Sequence, residues 1–231
     1  MDKTVLPALP AFDPRLVPIT GVDTHLPPLG EQDLRAEAIR QRCSRELAWT
    51  PEFRKEERFS DRPPTQASVL VPLVLRDSLT VLLTQRTAHL NSHSGQIAFP
   101  GGKVDPQDRD VAHTALREAQ EEVGLDSAHV EVIGTLPEYA TGSGFVVTPV
   151  LAFVSAEAAL VPNPEEVADV FEVPLSFLMN PANHRHHAVE WAGRTRHWMS
   201  MPYQQGAQER FIWGATAAML RNLYAYLRAG V

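Results

Sequence analysis

An α/β fold, with a mixed sheet between helical layers, follows from three observations in the sequence. Short β-branched and leucine-rich runs recur at Val69–Leu75, Thr80–Thr84, Val130–Leu136 and Phe145–Val154. Helical periodicity fills other stretches, above all within Pro100–Leu125 and over Phe211–Leu227. The two kinds of segment alternate irregularly, which suits a mixed sheet better than a regular βαβ repeat.

Taken in order, residues 1–30 are proline-rich and aperiodic, an extended arm packed on the domain or on a partner subunit of a homodimer. From Glu31 to about Leu47, the residues Leu34, Ala36, Ile39, Cys43 and Leu47 recur near helical spacing. A polar connector over 50–65 ends at Arg62-Pro63-Pro64, so residues 1–65 read as an extension and 66–231 as the domain. Arg76-Asp77-Ser78 makes a compact turn between the first two strands, which read as a hairpin. The glycine-bearing loop Glu138–Gly144 joins the next two. Val173-Pro174-Leu175 reads as a short apolar segment, ending before Pro181. Ala188–Trp191 and His197–Met201 read as a late hairpin across Gly193-Arg194, and Phe211–Leu227 as the closing helix.

The chain has 231 residues, a net charge of −7 and one cysteine, Cys43. The negative balance disfavours nucleic acid or a membrane surface as the main partner, because it slows approach to a polyanion. One cysteine permits no intrachain disulfide, the usage expected of a reducing compartment. No stretch reaches transmembrane length, and MDKTVLPALP lacks the apolar core of a signal peptide, so a cytoplasmic protein is expected.

The chemistry concentrates in PGGKVDPQDRDVAHTALREAQEEVGL, residues 100–125. With Glu118 at zero and about 100° per residue, Glu122 falls near 40° and Glu121 near 300°. Ala112, Ala115, Leu116, Ala119 and Val123 fall between roughly 60° and 160°, a buried stripe beside the acids. Two carboxylates about 6 Å apart repel by roughly 3 kcal/mol at an effective dielectric near 20. Three on one helix face at a core margin therefore suggest a divalent cation, and oxygen ligands suggest magnesium or manganese (Mg2+ or Mn2+). The same residues also suit a solvated acidic face on which Arg117 pairs with Glu121 one turn later.

Arg117-Glu118-Ala119-Gln120-Glu121-Glu122-Val123-Gly124-Leu125 resembles the second half of the Nudix hydrolase signature. Upstream of it the pattern departs. Five residues separate Gly102 from Asp108, and eight residues instead of seven separate Asp108 from Arg117, so the upstream acid is Asp108 or Asp110. Leu82-Leu83-Thr84-Gln85-Arg86, then Gly95 and Phe99-Pro100-Gly101-Gly102, resemble the upstream signature of coenzyme A pyrophosphatases. Thr87 and Asn91 stand where that signature usually carries a small Ser or Ala and an Arg. Asn163-Pro164-Glu165-Glu166-Val167 and Ile212-Trp213-Gly214-Ala215-Thr216 are similar to the same family.

The resemblance implies a Nudix-type α/β/α sandwich that hydrolyses the diphosphate of coenzyme A or its thioesters. Glu118 and Glu122 are then the metal ligands, assisted by Glu121. Arg117 orients the glutamates, and the general base is Glu121 ahead of an acid of the later loop, Glu165 or Glu166. Arg86, His89, His93, Gly101, Gly102 and Lys103 are the candidates for holding substrate. Two rivals remain: a hydrolase of another nucleoside diphosphate derivative such as ADP-ribose or NADH, and a nucleotide-sensing domain without turnover. The run His184-Arg185-His186-His187 is not expected to bind zinc, since adjacent histidines rarely share one ion and no cysteine accompanies them.

Overall fold

The computed structural model describes residues 13–58, 63–87, 95–191 and 193–229. In chain order, β1 (Ile19–Val22) and α1 (Ala36–Cys43) precede β2 (Thr65–Val74) and β3 (Thr80–Arg86). The short strands β4 (Ile97–Ala98) and β5 (Gly101–Lys103) lead into α2 (Val111–Val123), followed by β6 (Val130–Thr135), β7 (Tyr139–Ala140) and β8 (Phe145–Val154). Then come β9 (Val167–Pro174), α3 (Leu175–Leu178), β10 (Arg185–Trp191), β11 (Arg194–Gln205), β12 (Gln208–Trp213) and α4 (Gly214–Arg228).

Among the described residues, the main sheet has the order β4-β3-β2-β8-β6, with β5 joined to β2, β7 to β8 and β9 to β3. Strands β2 and β8 run parallel along their whole length, whereas β3 and β6 flank them antiparallel, so the sheet is mixed. Both central strands are covered on both faces, and this explains why they read as nearly unbroken apolar runs. On one face, Leu70, Val74, Leu82, Val150 and Val154 pack with Ala115, Ala119 and Val123 of α2. On the other, Val71, Leu73, Leu83, Leu151 and Phe153 share a core with Leu220, Leu223 and Leu227 of α4 and Ile39 of α1. The result is helix, sheet, helix. A second, four-stranded sheet runs β1-β10-β11-β12. No helix among the described residues is long and apolar enough to cross a membrane.

Three elements differ from expectation. Strand β9 begins well before the apolar segment expected at 173–175 and pairs with β3 from Pro174 back to Val167. Residues Phe211–Trp213 belong to β12, paired with Pro202–Ser200, and the last helix starts only at Gly214, whose φ of 61° breaks the strand. Within the proline-rich arm, Ile19–Val22 forms an edge strand on β10. Residues before β2 are also tied to the C-terminal helix. The Asn222 amide bonds both main-chain groups of Phe53, Arg221 Nε donates to Glu52 (2.8 Å), and Tyr224 donates to the Pro27 carbonyl (2.7 Å).

The histidine run is built into this framework. His187 lies between Ser200 and the Val17 carbonyl, and His186 meets Asp23 at 2.9 Å. His184 is fully buried, with Nε2 at 2.7 Å from the Leu178 carbonyl and Nδ1 at 3.0 Å from Arg221. A carbonyl only accepts, so Nε2 carries the proton and Nδ1 accepts from the guanidinium. Burial, reinforced by the Arg221 charge, pushes the His184 pKa down to about 4. The unfolded chain binds this proton near pH 6.5 and the folded chain does not, so stability present at neutral pH is lost as pH falls towards 4. Urea unfolding at pH 7 and 4.5 should differ by about 2 to 3 kcal/mol from this residue, and His184→Gln should flatten that slope.

Candidate active site

Helix α2 is bounded at both ends by its own sequence. Asp110 caps the N-terminus by accepting the His113 N–H (2.8 Å), and Gly124, at φ 67°, closes the C-terminus in the left-handed conformation that glycine favours. The two candidate upstream acids therefore have different places. Asp108 takes a two-pronged ion pair from Arg117, with Nε and Nη2 each 3.0 Å from a carboxylate oxygen. Thr114 Oγ1 and the Asp105 N–H also donate to it. The Arg117 guanidinium holds the Asp108 carboxyl well below the usual carboxylate range.

Arg117 has donors left over. Its Nη1 reaches Glu118 Oε1 (2.9 Å) and Glu121 Oε2 (3.0 Å), and its Nη2 also reaches the Lys103 carbonyl (3.1 Å). The Arg117–Glu121 pair of a solvated helix face is thus present, but as one arm of a larger arrangement. The Glu121 side chain is 55% exposed, whereas that of Glu122 is 4% exposed. Burial raises the pKa of Glu118 against the opposing pull of Arg117, and the charges of Glu121 and Glu166 add to the rise. Glu122 accepts the Gly101 N–H through Oε2 (3.1 Å) and lies 3.4 Å from Arg86 Nη1 through Oε1. Burial nonetheless pushes it up to about 7, with Glu118 and Glu166 contributing like charge.

The two glycines approach different neighbours. A methyl group on Gly102 would overlap the Glu118 carboxylate, the mobile end of a side chain. On Gly101 it would overlap the main chain of Ser68 in β2. Gly102→Ala should therefore leave the melting temperature within a few degrees while displacing Glu118 and lowering turnover by about tenfold or more. Gly101→Ala should do the reverse first, lowering stability, and thermal melts run beside kinetics separate the two.

The structure thus brings Arg86, Gly101, Gly102, Arg117, Glu118, Glu121 and Glu122 together. Glu166 joins them through its charge, from the loop before β9. Lys103 contributes its carbonyl, and its side chain is exposed, as is that of Glu165. His89 and His93, with Asn91, lie outside the described residues. Sequence reasoning assigned no role to the contact between Thr87 and the Glu165–Glu166 loop, which joins residues 78 positions apart. No local pattern signals such a pairing.

The donor chemistry suits a divalent cation. A buried and a partly buried carboxylate one helical turn apart, each with its charged form penalised by burial and by its neighbours, gain most from a cation between them. Among the described residues, no group of three acidic, histidine or cysteine side chains is arranged to hold a metal ion. Glu118 and Glu121 turn to Arg117, and Glu122 turns to Gly101.

Comparison with known proteins identifies the family. A NUDIX domain model matches residues 64–201. The uncharacterized Nudix hydrolase NudL of Pectobacterium atrosepticum is 43% identical over 158 residues, covering 68% of this chain and 80% of that protein. Its namesake in Yersinia enterocolitica is 43% identical over 157 residues, covering 68% and 78%. Among solved structures, a binary complex of the C. elegans Ap4A hydrolase aligns over 51% of this chain and 85% of its own, at 24% identity and a TM-score of 0.41. The chain belongs to the Nudix family, and it is a Nudix hydrolase acting on the pyrophosphate bond of nucleoside diphosphate derivatives.

Proposed function

We propose that the enzyme hydrolyses the diphosphate of coenzyme A and its thioesters to 4′-phosphopantetheine and adenosine 3′,5′-bisphosphate. The observation that carries this reading is the approach of Arg86 to Glu122. Arg86 belongs to the Leu82–Gly102 stretch that resembles the coenzyme A signature, and Glu122 to the Nudix helix. The two stretches meet in one site. A single cysteine, Cys43, fits action in a reducing cytoplasm.

Nudix hydrolases use divalent metal ions, and here Glu118 and Glu122, assisted by Glu121, would hold magnesium or manganese. When bound, such an ion shields the charge of the diphosphate and activates water as a Lewis acid. The remaining work falls to the chain. Arg86, at the end of β3, offers paired donors to a phosphate oxygen. Arg117 fixes the carboxylates of Glu118 and Glu121. The glycines at 101 and 102 let the loop approach Glu118 and Glu122 without a side chain between. Glu166 takes the proton of the attacking water. It is favoured over Glu121 because its charge bears on both Glu118 and Glu122, whereas Glu121 is exposed and engaged by Arg117.

Coenzyme A, acetyl-coenzyme A, ADP-ribose and NADH compared side by side with magnesium test this reading. The coenzyme A pair should be turned over fastest, and chelator should abolish the activity until magnesium or manganese is restored. Preference for ADP-ribose or NADH would move the substrate to that class. Turnover of none of the four would move the substrate to another class of diphosphate.

A further inference from the structure

The segment between β8 and β9 carries Glu166, and it is held from two sides. It first docks on the C-terminal end of α2, where helix carbonyls lack intrahelical donors. The Val161 N–H donates to the Val123 carbonyl and the Asn163 N–H to the Glu122 carbonyl, each at 2.9 Å. Asn163 then shapes the turn that follows. Its Oδ1 accepts the Glu165 N–H (3.1 Å), and its carbonyl accepts the N–H groups of Glu166 (3.1 Å) and Val167 (2.8 Å). From the other side comes Thr87, buried at the end of β3. Its N–H donates to the Glu166 carbonyl (3.0 Å) and its Oγ1 to the Glu165 carbonyl (3.2 Å).

Both anchors lie next to residues of the site. Asn163 is bonded to Glu122 itself, and Thr87 follows Arg86, whose guanidinium faces Glu122. The backbone of Glu166 is therefore tied to the same residue, through the Glu122 main-chain carbonyl on the helix side and through Arg86 and the Glu122 carboxylate on the sheet side. We propose that Thr87 and Asn163 are positioning residues that hold Glu166 against the Glu118–Glu122 face. The inference rests on the reading of Glu166 as the base.

A double-mutant cycle tests it, with coenzyme A and, in parallel, ADP-ribose as substrates and magnesium present. Thr87→Val keeps the shape and the main-chain bond and loses only the hydroxyl. It should lower kcat by about tenfold with KM changed less than threefold, and Thr87→Ser should restore most of the loss. Asn163→Ala should behave like Thr87→Val. In a Glu166→Gln background, Thr87→Val should cost little more, because the group it positions is already disabled. Full, independent losses in the double variant overturn the proposal. So does failure of Thr87→Ser to rescue, or a fall in melting temperature that accounts for the lost activity. Near-normal turnover by Glu166→Gln alone defeats the base assignment instead. If Thr87→Val still loses activity in that variant, the threonine's role is structural and the positioning proposal falls separately.

Discussion

Glu122→Gln should yield a protein that is at least as stable as the parent but nearly inactive. The amide oxygen can still accept the Gly101 N–H, and the side-chain volume is unchanged. What disappears is a buried negative charge whose pKa burial has already pushed up to about 7. Above that pH the carboxylate is charged at a penalty in the metal-free protein, so its removal should raise the melting temperature slightly at pH 8. Turnover should fall by roughly two to three orders of magnitude, the loss seen when one preorganised electrostatic group leaves an active site. The same variant separates binding from folding. Added magnesium or manganese should raise the melting temperature of the parent by linkage and that of the variant much less. Near-normal kcat, or an equal metal-induced shift, would remove Glu122 from the metal site.

Arg117→Lys should show a second, different pattern, with both stability and turnover reduced. One guanidinium currently serves Asp108, Glu118, Glu121 and the Lys103 carbonyl. An ammonium is a point donor and cannot reproduce the fork on Asp108 while holding two glutamates. Loss of that register should reduce kcat by about a hundredfold, as small misplacements of catalytic groups do. The stability loss has a pH signature. Arg117 holds the Asp108 carboxyl below its ordinary range, so the pair contributes stability above the usual carboxylate pKa, and that contribution disappears as the acid is protonated. The gap in melting temperature between parent and variant should therefore be widest near pH 7 and narrow in acid. A gap independent of pH would assign the loss to packing.

The parts of this molecule that could be read from sequence are those governed by local rules. Helix α2 announced itself through its apolar stripe, and β2 and β8 through runs long enough for strands covered on both faces. The placing of Glu118 and Glu122 beside that stripe needed only the helical repeat. Strand β9 was harder to see, because its buried residues Val167, Phe171 and Val173 are interrupted by irregular exposure. Strand β1 is largely exposed and carries no periodicity at all. The boundary at Gly214 was hidden because Phe211 and Ile212 are apolar in either a strand or a helix. The choice between Asp108 and Asp110 depended on where the loop delivers each carboxylate, which spacing alone leaves open. Pairings such as Thr87 with Glu165 are set by tertiary structure.

The bonds from Phe53 to Asn222 and from Tyr224 to Pro27 join residues 169 and 197 positions apart. On a ribosome, the strands and the acid helix emerge long before the segment that covers the opposite face of their sheet. Leu73, Leu83 and Leu151 therefore lack the α4 part of their core until synthesis is almost complete. Chain closures this distant slow folding and lengthen the interval in which such a surface can meet another chain. A nascent chain arrested before Gly214 should accordingly be a better client for a holdase chaperone than the finished protein.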